Sequence, residues 1–108
     1  MREIKAIIRT DRLHDVIQAL HELSNMPGVT VSTVRGFGRR ASGPGPGGFD
    51  ETDFTKLEAV VDDDTVRGVI EAIVRHARTG GPGDGRIFVM PVLEAIRIRE
   101  YAARHGNE

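Results

Sequence analysis

The stretch that decides the fold is KLEAVVDDDTVRGVIEAIVRHARTGGPGDGRIFVM, residues 56–90. Residues 56–61 alternate between apolar and more polar positions and predict a strand. Three aspartates follow, and acidic residues favour a helix start because they complement the helix dipole. Apolar residues then recur at helical spacing over 66–77, which predicts an amphipathic helix. After a glycine-rich loop at 79–85, residues 86–90 predict another strand, so this half of the chain is a β-α-β unit.

The N-terminal half of the chain repeats this plan. Residues 3–9 predict a strand, and Thr10 and Asp11 are residue types that favour a helix N-cap. Apolar residues from Leu13 to Leu23 recur at helical spacing and predict a helix, and the β-branched run at 29–35 predicts a strand. The first half is therefore also a β-α-β unit.

Two β-α-β units in succession predict an α+β fold, a ferredoxin-like βαββαβ sandwich with both helices on one face of an antiparallel sheet. We expect a single domain over 1–108, one further short strand at 95–99, and a frayed or weakly helical tail at 100–108. Ile7 and Val34 are apolar on the face without helices, so we expect an oligomer that buries sheet faces.

The two halves are joined by a long connection at 36–55, which contains six consecutive glycine or proline residues at 43–48. Such a run is incompatible with regular structure, so we expect a mobile loop. A tolerated linker is one interpretation. The other is a loop that a ligand or partner orders, since connections of this length are uncommon without a role.

Composition excludes several classes of protein. The 108 residues include no cysteine, which excludes disulfide scaffolds and thiolate chemistry. The 15 basic and 16 acidic residues leave a net charge of −1, which argues against a nucleic-acid binder. The sequence has no apolar run of membrane-spanning length and no N-terminal apolar signal, so we expect a cytoplasmic protein without direct membrane insertion.

Two glycine-rich segments carry the strongest sign of ligand binding. Gly36–Arg40 follows a predicted strand and Thr79–Arg86 precedes one. Glycine lets the backbone approach an anion closely, and arginine supplies bidentate contacts to phosphate. Arg97 and Arg99 would share one face of the predicted last strand. This arrangement suggests a polyphosphate ligand, although neither segment is a P-loop and each could also be only a tight turn.

Catalytic and metal-binding chemistry has weaker support. His14 and His21 are seven residues apart on the predicted helix, too far for one metal ion. The aspartates at 62–64 are best explained as a helix start, so we predict no metal site. No GxSxG motif or visible serine–histidine–aspartate set occurs, so we expect no enzyme. A small phosphohydrolase on the same fold remains the alternative.

Three segments together resemble one known family: REIKAIIRTDRLHDVIQAL at 2–20, PGVTVSTVRGFGRR at 27–40 and RTGGPGDGRIFVMPVLEAIRIR at 78–99. They are similar to the PII signal-transduction proteins. The resemblance implies a homotrimer of ferredoxin-like subunits that senses ATP, ADP or AMP in clefts between neighbouring subunits. It also implies that the connection at 36–55 is the T-loop, which contacts a target protein such as a membrane transporter or a metabolic enzyme.

The resemblance also implies which residues bind the nucleotide. On one subunit the phosphates would be held by Gly38, Arg39, Gly83, Gly85 and Arg86. Asp84 belongs to the same motif and is counted with them, and the neighbouring subunit would contribute Arg97 and Arg99. The adenine pocket would involve Ile7, Gly36, Phe37 and Val60, with Gly28, Val29 and Thr30 from the adjacent chain.

Departures from the family pattern indicate a divergent member with a shortened T-loop. Arg40 replaces the glutamine that helps hold magnesium and 2-oxoglutarate, and Phe54 stands where a lysine pairs with the same ligand. The only tyrosine is Tyr101, in the tail. We therefore expect no 2-oxoglutarate response and no tyrosine uridylylation. Arg39 and Arg40 together could hold a small anion such as bicarbonate.

Overall fold

The computed structural model describes residues 1–39 and 49–106 of the chain. These residues form four strands and three helices. They are β1 (Arg2–Arg9), α1 (Leu13–His21), β2 (Thr30–Arg39), β3 (Phe49–Val61), α2 (Val66–Ala77), β4 (Gly85–Pro91) and α3 (Ile98–His105). Short 3-10 turns precede α1 and α2. The predicted β-α-β-β-α-β order and the α+β class are confirmed, and α3 follows them.

The strands form one antiparallel sheet in the order β2-β3-β1-β4. Alternation along β1 buries Ile4, Ala6 and Ile8 on the same face, as the sequence predicts. Residues of α1 and α2 pack on this face with those of β1 and β3, in a core of Ile4, Ala6, Ile8, Val16, Leu20, Leu57, Ala59, Val61, Val69, Ile73 and Ala77. The hydrophobic patterns of the two halves therefore meet in one core.

The opposite face of the sheet, which we call the open face, carries the other set of alternating residues. Ile7 and Val34 lie on it and are half-buried, and Phe88 on β4 is exposed there. At its centre the Lys56 ammonium lies 3.8 Å from the Glu58 carboxylate. The expected apolar positions on this face are confirmed.

Regular structure continues further into 36–55 than the composition indicates. β2 extends to Arg39 and β3 begins at Phe49, and the two strands pair in register from Thr30 opposite Glu58 to Arg39 opposite Phe49. The expectation of a loop over all of 36–55 is therefore wrong at both ends. Each strand supplies the other's hydrogen-bond partners, which glycine at single positions does not prevent. The glycine–proline run at 43–48 lies outside the described residues.

Side chains on the outer part of this hairpin support the pairing. The Arg35 guanidinium lies 2.8 Å from a Glu51 carboxylate oxygen and 3.6 Å from one of Asp53. Asp53 is directly opposite Arg35 in the register, and Glu51 is the diagonal neighbour. Opposite charges at such positions stabilise antiparallel pairs, so the register is fixed by side chains as well as by backbone.

The predicted strand at 95–99 is wrong. β4 ends at Pro91, residues 92–97 form neither strand nor helix, and α3 begins at Ile98. A strand needs a neighbouring strand to satisfy its backbone, and residues 95–99 pair with neither edge strand of the sheet, β2 or β4. Residues 100–104 (EYAAR) contain good helix formers, and Gly106, with φ 63°, ends the helix in the left-handed conformation. The tail, expected to be frayed or weakly helical, is a regular helix up to His105.

The expected helix caps bond elsewhere. The Thr10 hydroxyl accepts a hydrogen bond of 3.0 Å from the Thr55 hydroxyl, and Asp11 pairs with Arg9. In the acidic run before α2, Asp63 binds the N-terminal amino group at 2.6 Å. The N-cap residues of the two 3-10 turns, Arg9 and Asp62, make no side-chain cap hydrogen bond. The contacts of the predicted cap residues instead join the helix starts to the N-terminus, β1 and β3.

Two further findings concern residues 1–39 and 49–106 as a whole. No helix in these ranges is long and apolar enough to cross a membrane; α2, with 12 residues, is the longest. No three histidine, aspartate or glutamate side chains in these ranges gather as a metal site requires.

Candidate functional site

The loop at 79–85 joins α2 to β4 and is closed by a single carboxylate. Asp84 Oδ2 accepts hydrogen bonds from the backbone N–H groups of Thr79 (2.8 Å) and Gly80 (3.0 Å). Asp84 Oδ1 accepts one from the Thr79 hydroxyl, whose oxygen accepts another from the Gly81 N–H at 3.2 Å. Three consecutive N–H groups are therefore bound within the loop, and the Asp84 side chain is directed at its own loop.

Gly85 connects this loop to the sheet and allows no side chain. Its φ is 104°, and a Cβ built there would lie 1.8 Å from the Ile7 carbonyl oxygen. Gly85 is opposite Ile8, and Arg86 is opposite Ile7. The close approach therefore positions Arg86 beside Ile7, with its exposed side chain at the start of β4.

The other glycine segment lies at the end of β2. A Cβ at Gly36 would lie 2.9 Å from the Phe54 ring, so the ring covers this glycine on the open face. Gly38 has open space at its Cβ position. Alternation places the Phe37 side chain on the other face of the hairpin, where it is 65% exposed. Of the two arginines that follow, Arg40 lies outside the described residues.

Ile7, Gly36, Gly85 and Arg86 thus lie toward one end of the sheet, where β1 and β2 end and β3 and β4 begin. We call this set the loop-end cluster. It contains Gly36 from one predicted glycine segment and Gly85 and Arg86 from the other. Ile7, Gly36 and Arg86 lie on the open face, and Gly85 ends the loop that borders it. Along the strands, Gly36 lies four residues beyond Ser32, which is level with Ile7.

A second set of predicted residues surrounds a cavity of about 680 Å³ at the other end of the sheet. We call it the cavity cluster. It includes Gly28, Thr30, Val60 and Arg97, and the cavity is further lined by Met1, Glu3, Asn25, Pro27, Glu58, Ala59, Val61, Asp62, Ala95 and Ile96. Val29 is different, because its side chain packs partly buried against the core.

The two clusters are separated along the sheet. Ile7 is opposite Lys56 and Glu3 is opposite Val60, four residues further along β3. At about 3.3 Å per residue this is roughly 13 Å. Val60, which the resemblance groups with Ile7 and Phe37, therefore lies with Gly28 and Thr30 instead.

The two arginines near the C-terminus do not share a strand face. Arg97 immediately precedes α3, is 82% exposed on its side chain, and has a nitrogen 3.8 Å from the Glu100 carboxylate. Arg99 lies within the first turn of α3 and is exposed. Around them Leu93 is 100% and Ile98 87% exposed. This C-terminal segment therefore presents both cations and apolar side chains outward.

Two contributors were not predicted from the sequence. Thr79 holds Asp84, and the only signal for it was a hydroxyl residue five positions before an aspartate in a glycine-rich loop. Glu58 lines the cavity, and its alternation with Val60 along β3 could have placed it on the open face but not at the cavity.

The closed loop predicts an acid titration for Asp84. The hydrogen bond from the Thr79 hydroxyl lowers the pKa of Asp84, and the N–H groups of Thr79 and Gly80 lower it further. Because the folded pKa is below the unfolded one, this stabilisation is fully present above about pH 4 and is lost as the pH falls through the folded pKa. We expect carboxyl carbon NMR to show Asp84 titrating below ordinary aspartates, and Thr79→Val to raise that pKa. An ordinary Asp84 pKa in the native chain would contradict the hydrogen bonding described.

The chain matches known proteins over nearly its whole length. The family model for nitrogen regulatory protein P-II matches residues 1–102. Nitrogen regulatory protein P-II of Azospirillum brasilense is 43% identical over 104 residues, which is 92% of each chain. Nitrogen regulatory protein P-II 1 of Methanothermobacter thermautotrophicus is 43% identical over 113 aligned positions, covering 100% of this chain and 96% of its own. The Arabidopsis thaliana P-II homolog is 44% identical over 103 residues, 52% of its length.

These matches agree with the βαββαβ sheet and include both glycine-rich segments at 36–40 and 79–86. The family model, which covers most of the chain, and relatives above 40% identity identify the same family. The chain belongs to the nitrogen regulatory protein P-II family.

Proposed function

We propose that the chain is a nonenzymatic signal-transduction protein of the cytoplasm that senses ATP, ADP or AMP. The nucleotide binds in clefts between the subunits of a homotrimer, and the connection at 36–55 controls a partner, a membrane transporter or a metabolic enzyme, according to the bound ligand. A ligand shifts that segment from one conformation to another only to the extent that it binds the two conformations with different affinities.

The observation that carries this proposal is the division of the glycines and arginines into two clusters. The loop-end cluster offers Arg86 and a glycine loop suited to phosphate. The cavity cluster offers a recess of about 680 Å³ with apolar Val60 and cationic Arg97. Each is half of a nucleotide site, and since they lie apart in one chain, a neighbouring copy completes the site.

Exposed apolar residues support an oligomer. Leu93 and Ile98 are almost wholly exposed beside Arg97, and Phe88 is exposed on the open face. Contiguous exposed apolar surface commonly marks an interface. The relatives are nitrogen regulatory proteins, which agrees with a nonenzymatic role.

Calorimetric titration tests the proposal. ATP, ADP and AMP are titrated separately into the purified protein, with and without bicarbonate, and phosphate release is followed in parallel. We expect saturable binding of at least one adenylate and no sustained multiple-turnover release. A bicarbonate effect on affinity would assign it as the second effector. If no adenylate binds under any condition, the proposal is wrong, and steady phosphate release would favour the phosphohydrolase alternative.

The replacement at position 54 gives a separate prediction. The Phe54 ring covers Gly36 on the open face, and a phenyl ring cannot pair with a carboxylate as an ammonium group can. We expect saturating 2-oxoglutarate to leave the affinity for Mg-ATP unchanged within twofold. The measurement is competition calorimetry at fixed magnesium, with succinate as the dicarboxylate control. If 2-oxoglutarate, but not succinate, clearly increased the affinity for Mg-ATP, the prediction of no 2-oxoglutarate response would be wrong.

A further inference from the structure

Ordering the loop at 79–85 costs much conformational entropy. It holds four glycines and one proline in seven residues, and glycine loses more conformational freedom on folding than any other residue. Gly80 and Gly85 both have positive φ, at 90° and 104°. The C-terminal end of the loop is fixed by the close approach of Gly85 to Ile7. The N-terminal end therefore needs another anchor.

Asp84 and Thr79 are that anchor. One carboxylate oxygen accepts hydrogen bonds from the N–H groups of Thr79 and Gly80, and the other accepts one from the Thr79 hydroxyl. Thr79 then takes the Gly81 N–H. The ring of contacts spans the loop from its first residue to its sixth.

We infer that Asp84 and Thr79 are positioning residues for the nucleotide site, holding the glycine loop in its anion-receiving shape before a phosphate arrives. The inference rests on the proposed function for the identity of the ligand, but its structural part does not. Asp84 acts through the loop and does not contact the phosphate. A carboxylate facing a phosphate would repel it, whereas this one accepts hydrogen bonds from its own loop.

The replacement Asp84→Asn separates positioning from charge. With its amide oxygen toward the two N–H groups, the asparagine can only donate to the Thr79 hydroxyl oxygen, so the bond to that hydroxyl is reversed and every bond made by the side chain at position 84 becomes neutral instead of charge-assisted. If Asp84 acted only by repelling phosphate, removing its charge would tighten nucleotide binding. Positioning predicts the opposite, a weakening of about tenfold or more, because charged hydrogen bonds order the loop.

Thr79 offers a second route with matched variants. Thr79→Val keeps the shape and removes the hydroxyl, and we expect it to weaken adenylate binding severalfold. Thr79→Ser restores the hydroxyl and should recover most of the affinity. Thr65→Val is the control, because the Thr65 hydroxyl also bonds an aspartate, Asp64 at 3.3 Å, but lies at the start of α2 away from this loop.

The ligand-free protein gives an independent reading. Amide hydrogen exchange of Thr79 and Gly80, measured by NMR without nucleotide, should be slow in the native chain and in Thr79→Ser, and fast in Thr79→Val and Asp84→Asn. Fast exchange in the native chain would overturn the inference, whatever the ligand proves to be. So would Asp84→Asn binding ATP as tightly as the native protein or more tightly. If the amides are protected in the native chain but no adenylate binds, Asp84 and Thr79 still anchor the loop. The proposed function is then wrong, and the anchor does not serve a nucleotide site.

Discussion

Replacing Gly85 with alanine is expected to destabilise the subunit more than any other single glycine substitution described. The new Cβ would lie 1.8 Å from the Ile7 carbonyl oxygen and 2.9 Å from its carbon, both backbone atoms of the central strand β1. The φ of 104° adds strain for any residue with a side chain. Relief requires β4 to separate from β1, so we expect a loss of about 3 kcal/mol or more. The measurement is denaturant unfolding at matched protein concentration.

Gly68→Ala is the matched control. Gly68 lies in the interior of α2, and a Cβ there meets nothing within 4 Å. Because alanine favours helix, this substitution should raise the free energy of unfolding by about 0.5–1 kcal/mol. Equal stability of Gly85→Ala and the native protein would mean that the approach of β4 to Ile7 is not as described.

Arg86→Ala is expected to have the largest effect on ligand binding. Arg86 is exposed beside Ile7, at the end of the glycine loop, and makes a charge-assisted contact to phosphate in the proposed site. Loss of a hydrogen bond to a charged group costs about 1.5–3 kcal/mol, or roughly tenfold to a hundredfold in affinity. Calorimetry with ATP measures it. Because Arg86 is exposed, the thermal stability should change little.

Arg67→Ala serves as its control, since Arg67 is an exposed arginine on α2 that belongs to neither cluster. It should bind ATP as the native protein does. If Arg86→Ala also bound ATP normally, the loop-end cluster would not hold the phosphates. The loss of affinity caused by Arg86→Ala should be smaller for AMP than for ATP, because the single phosphate of AMP presents less charge to the loop.

Local patterns were sufficient for the parts of the fold that depend on local chemistry. Alternation placed Ile4, Ala6 and Ile8 on one face, and helical spacing gave α1 and α2. The glycine-rich composition of 79–85 was sufficient to predict a loop there, and Gly80 and Gly85 have the positive φ that glycine permits. These features need only the residue types and their spacing.

Other features depend on partners distant in sequence. The β2–β3 hairpin extends to Arg39 because each strand pairs with the other, which no composition rule for 36–55 contained. Val60 lies at the cavity because of its register with Glu3, and register is a long-range property. The alternation at 95–99 was real, but this segment pairs with neither edge strand of the sheet, β2 or β4, and pairing is not encoded in local alternation.

If each nucleotide site is completed by a neighbouring subunit, mixed oligomers should recover binding that neither variant has alone. Arg86→Ala removes the loop-end half and Arg97→Ala the cavity half, so each variant alone should bind ATP weakly. When the two are co-expressed with different tags and the mixed species is purified, a subunit with an intact loop end can face one with an intact cavity. In a mixed trimer one of the three clefts joins an intact loop end to an intact cavity, so we expect high-affinity binding to recover at about a third of the clefts. A mixed species with no recovered high-affinity binding would contradict a shared site.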